Sequence, residues 1–462
     1  MATRITFWGA AQTVTGSRHL IETNGKKILV DCGLFQGSRQ DREKNWEPIP
    51  FDPTQLDAVI LTHAHMDHIG SLPRLTKEGY LGKVLCTFGT RGLARVSLPD
   101  SGRLQEEEAR WRNKHGQTRH QPAQPLYTEA DAYRTLKQLD ARHYFEWIPL
   151  PGGAQMRFMP AGHILGSAFV EIYFENGERI VMGGDLGRWN MPIIKDPTAL
   201  EGGEYLVVES TYGDRLHEEA DPKDCLERIL NQAVEDGSRV IIPSFAIGRT
   251  QDLIWHLHTL EKEGRLPRIP IYIDSPMGSA ATLLYAETTE DHDHDMKVDL
   301  RAGYSPLHGR MIRFVRDRAM SKELNRAPGP WVVIAGSGMA NGGRVLHHLK
   351  AHLGDPSTVV VFTGYQAEGT LVRRIKEGDE EVEVLGETIQ VRARIEKLDM
   401  MSAHADQNEI IRWLSDVKTP PKGVFLVHGE PPAQEALADR IKKDLGWDHV
   451  HIPTYGQSFE LP

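Results

Sequence analysis

Four side chains able to bind a metal fall within six residues: His63, His65, Asp67 and His68, in the run Thr62-His63-Ala64-His65-Met66-Asp67-His68-Ile69-Gly70. Imidazole and carboxylate donors with no thiolate among them suit Zn2+, and the same set serves Mn2+ and Fe2+. In extended backbone, side chains two apart point the same way, so His63 and His65 can grip one cation. A turn after them swings Asp67 and His68 toward a neighbouring one. With 21 His in 462 residues, the pattern H-x-H-x-D-H arises by chance on the order of 0.003 times, which disfavours a merely solvated loop of histidines. His163, in Ala161-Gly162-His163-Ile164-Leu165-Gly166-Ser167, and Asp185, in Met182-Gly183-Gly184-Asp185-Leu186-Gly187, extend the set. Alone, each reads as a loop or turn residue; beside the first cluster they complete a cage.

These residues need strands to aim them. The apolar run Leu56-Asp57-Ala58-Val59-Ile60-Leu61 has strand length and ends at the histidines, and Ile69-Gly70-Ser71-Leu72-Pro73 turns into a short helix. Earlier strands are expected at Arg4 to Trp8, Arg18 to Glu22 and, after the turn Asn24-Gly25, Lys27 to Val30. Asp31-Cys32-Gly33 closes the third, where Asp31 is either a turn former or a support behind the ligands. From Arg95 to about Asn113 the chain is helical and heavily charged, which reads as a solvated face. Lys114 to Pro122 is polar with Gly and Pro, a loop, and Thr128-Glu129-Ala130-Asp131 starts another helix.

Between Gly237 and about Glu377 one unit recurs. Arg239 to Pro243 precedes a helix from Ile247, Ile269 to Ile273 one from Met277, Trp331 to Ala335 one from Gly343, and Val359 to Phe362 one from Glu368. Continuous apolar strands alternating with helices argue for a parallel sheet covered on both faces, a separate α/β module. Beyond it polar residues return at strand ends: Met401-Ser402-Ala403-His404-Ala405-Asp406 before a helix, and His428-Gly429-Glu430 after the strand Gly423 to Val427. A chain whose histidine-bearing ends flank a self-contained sheet is a domain with an insertion. The boundaries are 1–210 and 395–462 for the split domain and 211–394 for the inserted one.

Composition limits the partners. Hydrophobic residues make up 40% and charged residues 26%, ordinary for a globular chain that buries a large core. A net charge of −10 argues against coating nucleic acid through bulk positive charge, and leaves room for a local basic cleft. Cys32, Cys86 and Cys225 are odd in number and widely separated, which favours a reducing compartment. With no leader-like start and no run of 18 apolar residues, a cytoplasmic protein away from the membrane is expected.

Taken in order, Gly9-Ala10-Ala11 with Val14-Thr15-Gly16-Ser17, Asp31, the H-x-H-x-D-H run, His163, Asp185, Glu209-Ser210-Thr211-Tyr212-Gly213, Phe245-Ala246-Ile247-Gly248-Arg249-Thr250-Gln251, Ser337-Gly338-Met339, His404 and His428 span nearly the whole chain. This ordered set resembles the metallo-β-lactamase fold and, more narrowly, its beta-CASP branch of nucleic-acid-processing enzymes, which includes the pre-mRNA 3′-end cleavage endonuclease and bacterial ribonucleases. The resemblance implies an α/β fold: a metallo-β-lactamase αββα sandwich with an inserted beta-CASP parallel-sheet domain. It also implies two Zn2+, one held by His63, His65 and His163, the other by Asp67, His68 and His428, with Asp185 bridging them. The catalytic set would be Asp31, Asp67, Glu209 and His404, with His404 as general acid oriented by Glu209. In such a site a metal-bridging hydroxide attacks phosphorus in line, leaving 5′-phosphate and 3′-hydroxyl ends without need of a 2′-hydroxyl.

His at the position of His428 resembles family members that act on RNA, where DNA-repair members carry an apolar residue; single-stranded RNA is therefore the expected substrate. Phosphate binders are sought in the Gly-rich turn Ala335 to Gly343, with Ser337 and Gly338 foremost, and at Ser167 and Arg249. Arg249 also suits a buried ion pair between the domains, which is slightly preferred. Arg373, Arg374 and Lys376 after Gly364-Tyr365-Gln366 read as a solvated helix face, and Asp291-His292-Asp293-His294-Asp295 as an acidic surface. Endonucleolytic and 5′-to-3′ exonucleolytic action both suit such a site, and RNA choice falls to a cleft between the lobes, to partners or to homodimerisation. The competing readings are a hydrolase of a small ester, thioester or phosphodiester, a DNA nuclease, and a non-catalytic scaffold. The inserted module argues against a small substrate, and the intact ligand set against the scaffold.

Overall fold

The structure is a computed structural model that describes residues 3–116, 122–364, 366 and 369–462. Positions 117–121 of the expected polar loop, Tyr365, and Glu368 at the expected helix start lie outside the described residues. Two compact units divide the chain: residues 1–191, 195–216 and 404–462 form the first, and 192–194 with 217–403 the second.

The first unit contains two seven-stranded sheets. In one, Ser458–Leu461, Thr3–Phe7, His19–Thr23, Lys26–Val30, Ala58–Ile60, Val84–Thr87 and Leu139–Arg142 lie side by side in that order. In the other the order is Val450–His451, Gly423–Val427, Tyr205–Glu209, Arg179–Met182, Ala168–Tyr173, Gln155–Pro160 and Ile148–Pro149. The inner faces share one apolar cluster, with Ile5, Phe7, Ile28 and Val30 from the first sheet and Phe158, Val170, Met182, Val207 and Phe425 from the second. Outer faces are covered as well. Leu206, Val208, Val424 and Leu426 pack with Ile410, Trp413, Leu414, Leu437 and Ile441 of helices Gln407–Ser415 and Pro431–Leu445. Helix Phe88–His115 lies on strands Val84–Thr87 and Leu139–Arg142. Alternate residues of Tyr205–Glu209 therefore serve two cores, which is why the whole strand is apolar up to its last residue. This is an αββα sandwich.

The charged helix is longer than its charged part. Phe88–His115 buries Leu93, Ala94, Leu98 and Pro99 in its first half, and its exposed residues gather toward the carboxyl end, where Gly116 at φ 64° stops it.

The second unit holds a six-stranded, all-parallel sheet in the order Ile312–Phe314, Ile271–Asp274, Trp331–Ala335, Arg239–Pro243, Thr358–Thr363 and Arg394–Leu398. The strand Arg394–Leu398 is its edge, so the unit runs beyond the 394 boundary read from the sequence. Helices Arg249–Lys262, Pro276–Glu287, Val345–His352 and Leu371–Glu377 follow its strands. No helix among the described residues is long and apolar enough to cross a membrane.

Candidate metal centre

Asp31, His63, Asp185, Glu209 and His428 each stand at a strand's carboxyl end or in the turn just after it. Asp31 follows Lys26–Val30 and His63 follows Ala58–Ile60, two parallel neighbours; Asp185, Glu209 and His428 follow or end the parallel trio Arg179–Met182, Tyr205–Glu209 and Gly423–Val427. Parallel strands end on one side of a sheet, and that shared direction gathers residues hundreds of positions apart. His65 caps the short helix Met66–Ile69, which carries Asp67 and His68, and His163 sits in the turn that returns the chain from Gln155–Pro160 to Ala168–Tyr173. Asp31 and His428 adopt left-handed backbone, φ 60° and 50°, a conformation that costs non-glycine residues of order 1 kcal/mol and collects at functional sites.

Seven of the ligand-capable residues form two groups, and His404 stands close enough to Asp185 and His428 to make a further set with them. His63, His65, His163 and Asp185 make one, Asp67, His68 and His428 the other, and within each the donor atoms lie within 4.8 Å of one another. His65 Nδ1 stands 3.2 Å from His63 Nε2 and 3.1 Å from His163 Nε2; Asp185 Oδ2 is 3.4 Å from both His63 Nε2 and His163 Nε2. Tetrahedral zinc with bonds of ~2.0–2.1 Å to nitrogen separates its donors by about 3.3 Å, so these four atoms have the spacing of one coordination shell. On the other side His68 Nε2 is 3.2 Å from Asp185 Oδ1, and His428 Nε2 is 3.2 Å from Asp67 Oδ2. Asp185 thus turns one oxygen to each group. Its Oδ1 is buried and accepts no hydrogen bond among the described residues, the mark of an oxygen shaped for a cation. The residues fit a dinuclear zinc site.

The protonation of His63, His65, His163, Asp67 and Asp185 agrees, and His68 is the exception, holding a proton that a cation has to displace. Burial, reinforced by the neighbouring histidines, holds His63 below its ordinary value, His65 down at about 3, and His163 well below, so all three are neutral at pH 7 with lone pairs to donate. Burial opposes ionisation of Asp67 and Asp185. The His428 hydrogen bond and the facing imidazoles outweigh it and keep both carboxyls below the usual range. His68 is likewise opposed by burial but raised well above its ordinary value by Asp185 and Asp31. Asp31 Oδ2 accepts from His68 Nδ1 at 2.8 Å and from Thr62 Oγ1 at 2.8 Å, while Oδ1 accepts from Thr62 N. Asp31 therefore supports His68 from behind.

Beside Asp185 stands a carboxylate–imidazole pair. His404 Nδ1 lies 3.0 Å from Glu209 Oε1 and 3.2 Å from Oε2, and Glu209 Oε1 also accepts from Leu186 N at 2.8 Å, which fixes the carboxylate. Burial lowers the His404 imidazole, but the charge and hydrogen bond of Glu209, with Asp185 and Asp67 behind, hold it up at about 9. His404 is a charged proton donor at neutral pH, with its ring against that of His163 at 4.5 Å between centroids.

Ser167 is buried beside His163, and its Oγ accepts from His163 N at 2.9 Å and Ile164 N at 3.2 Å, which shapes the His163 turn. The remaining expected binders, Ser337, Gly338 and Arg249, belong to the second unit. Ser337 Oγ donates weakly to Gly342 O at 3.4 Å, and a side chain at Gly338 would press on Phe245. Arg249 is buried and pairs with Asp252 at 3.1 Å on its own helix; an Arg–Asp spacing of three along a helix places the partner one turn away. Arg373, Arg374 and Lys376 pair with Glu377, Asp379 and Asp399. The Asp291 to Asp295 segment is surface only in part, with His294 and Asp295 exposed. Asp291 and His292 are buried because His292 bridges to Ile194, and its Nε2 donates to Tyr285 O at 2.6 Å. One residue escaped the sequence reading: His19, buried beside the site with an Nδ1 that has no partner among the described residues. Its place in an alternating strand was the available signal, and it pointed only to packing.

Family models match three stretches of the chain: the metallo-beta-lactamase superfamily over residues 16–158, the Beta-Casp domain over 250–375, and a Zn-dependent metallo-hydrolase RNA specificity domain over 388–453. The chain is 40% identical to Ribonuclease TTHA0252 of Thermus thermophilus across 98% of its own length and 99% of the relative's. It is 31% identical to the transcription termination factor FttA of Methanosarcina mazei, covering 96% of this chain and 69% of that one. With an RNase J-like protein of Methanocaldococcus jannaschii the identity is 30% over 97% and 96%. A crystal structure of a protein of unknown function from Enterococcus faecalis superposes over the full length of both chains with a TM-score of 0.54 at 13% identity, a likeness of fold.

Proposed function

Since the chain belongs to the beta-CASP family of the metallo-β-lactamase superfamily, we propose that it is a zinc-dependent ribonuclease that hydrolyses phosphodiester bonds of single-stranded RNA to 5′-phosphate and 3′-hydroxyl ends. The observation that carries the proposal is the division of seven ligands into two groups that share Asp185, with the His404–Glu209 pair beside them. A pair of bound zinc ions supplies a nucleophile drawn from water near neutral pH and offsets charge on the non-bridging phosphate oxygens. The chain's own residues do the rest. His404, charged at neutral pH, delivers the proton that the leaving 3′ oxygen requires, and Glu209 keeps its Nδ1–H occupied so that Nε2–H is the transferable proton. Asp31 holds the ring of His68, and the Ser167 hydroxyl holds the backbone of His163. Ser337 and Gly338 in the second unit are the phosphate-binding candidates, through backbone amides of a Gly-rich turn at the end of the parallel strand Trp331–Ala335.

The test is direct. Labelled single-stranded RNA is incubated with the Zn2+-loaded chain and product ends are mapped. Cleavage to 5′-phosphates is expected, retained when the sugar at the scissile position is 2′-deoxy, and lost on Asp67→Ala together with His68→Ala. Turnover of a small ester with intact RNA would overturn the proposal in favour of a small-molecule hydrolase. RNA with a blocked 5′ end separates endonucleolytic from 5′-to-3′ exonucleolytic action.

A further inference from the structure

Each ligand histidine has two nitrogens, and only one can face a metal. In the first group His63 uses Nε2, so its Nδ1 points away, to Thr62 Oγ1 at 3.1 Å. In the second group His428 uses Nε2 toward Asp67 at 3.2 Å, and its Nδ1 meets Thr211 Oγ1 at 3.0 Å, nearer than its 3.6 Å to Asp185 Oδ1. A hydroxyl has one proton to give. Thr62 Oγ1 also lies 2.8 Å from Asp31 Oδ2, an atom that can only accept, and Thr211 Oγ1 lies 3.1 Å from the carbonyl oxygen of His428, which likewise only accepts. If either hydroxyl turned its proton to the imidazole instead, two oxygens with no proton between them would stand at hydrogen-bond distance. Both protons therefore go to the oxygens, and each hydroxyl is left as an acceptor. The ring nitrogen facing it must then carry the hydrogen.

We infer that Thr62 and Thr211 are positioning residues, one for each group of ligands, whose hydroxyls fix the ring orientation and tautomer of His63 and His428 so that Nε2 is the metal-facing nitrogen. The inference rests on the reading of the two groups as zinc sites. The two threonines are not equal. Thr62 gives its proton to a carboxylate, whose charge makes the hydroxyl oxygen a better acceptor, and the same Asp31 Oδ2 takes His68 Nδ1–H directly. Through Thr62, one carboxylate thus supports a histidine in each group. Thr211 gives its proton to a neutral carbonyl, that of His428 itself, and so also braces the left-handed backbone there. A methyl group in place of either hydroxyl leaves an imidazole N–H buried without a partner and the ring free to present the wrong nitrogen.

The test compares the full-length parent with Thr62→Val, Thr62→Ser, Thr211→Val and Thr211→Ser, each stripped of metal and titrated with Zn2+ against a chromogenic chelator. Each Val variant is expected to weaken one of two zinc ions by about 10–100-fold, Thr62→Val more than Thr211→Val, while the Ser variants, which keep the hydroxyl, bind within about threefold of the parent. Parent-like zinc binding by both Val variants would overturn the inference, as would Ser variants that lose as much as Val. A second measurement needs no variant: imidazole 15N shifts of the zinc-loaded parent should show Nδ1 protonated at His63 and His428, and metallated Nδ1 at either would overturn it. A parent that binds no zinc would instead bring down the reading of the site itself.

Discussion

His404 and Glu209 are where the chemistry of single residues can be separated from the metal. Neither belongs to the two ligand groups, so His404→Ala should leave zinc content unchanged and lower kcat by about 10²–10⁴-fold, the range of a lost general acid; Glu209→Gln should fall between parent and His404→Ala, because the imidazole remains but loses the charge that holds it protonated. Rate measurements with metal analysis on the same samples check both, and loss of zinc in either variant would mean that the pair is structural. The two clusters were legible in the sequence because imidazole and carboxylate groups at such spacing suit an ion: His63, His65, Asp67 and His68 fall within six residues, and His163, Asp185 and His428 each follow a strand. What supports them was not. The Ser167 hydroxyl braces His163, and the roles inferred for Thr62 and Thr211 exist only through partners 31 and 217 positions away.

At the scale of elements, the sandwich depends on close approach of turns that carry the ligands. Gly33, after the strand Lys26–Val30, lies so near the Met66–Ile69 helix that a Cβ there would sit 1.6 Å from the carbonyl oxygen of Asp67. Backbone cannot yield as a flexible side chain does, so Gly33→Ala should displace Asp67 and His68, costing zinc affinity and more than about 3 kcal/mol of stability, read by chelator competition and urea unfolding; parent-like zinc affinity would show that the turn can shift. The strand His19–Thr23 adds a pH dependence. Burial holds His19 down at about 4 against an ordinary 6.5, so between these values the unfolded chain binds a proton that the folded one refuses. Stability from this group is complete above pH 6.5 and is lost as pH falls toward 4. In zinc-free protein, unfolding free energy should drop between pH 7 and 4.5 by about 2–3 kcal/mol more in the parent than in His19→Gln. Equal drops would mean that His19 is charged in the fold. The alternation of apolar strands and helices showed the parallel sheet of the second unit plainly, since strands buried on both faces must be continuous apolar runs. Its edge strand Arg394–Leu398 was missed because an edge is half exposed and reads Arg-Ile-Glu-Lys-Leu.

For the molecule as a whole, the sequence order and the functional grouping disagree, and metal removal should expose that. All seven ligand candidates, with Glu209 and His404, belong to the first unit although His404 and His428 come after the entire second unit in the chain. A ligand that binds only the folded form stabilises what it touches by mass action, and local openings respond where the contacts are. Hydrogen exchange with and without chelator should therefore gain speed in the segments around 31–33, 61–69, 161–167, 183–187 and 427–429, which lie far apart in sequence. The strands Arg239–Pro243, Trp331–Ala335 and Thr358–Thr363 of the second sheet system should exchange as before. Faster exchange spread equally through those strands would contradict the assignment of every ligand to one unit. The overall charge of −10 adds a further expectation for the same protein: with so little bulk attraction for a polyanion, single-stranded RNA held through a few local phosphate contacts should lose affinity with salt along a shallow log–log slope of about 0.7 per contact neutralised, measured by anisotropy titration across salt concentrations. A slope implying as many as ten contacts would require a basic surface that the composition does not favour.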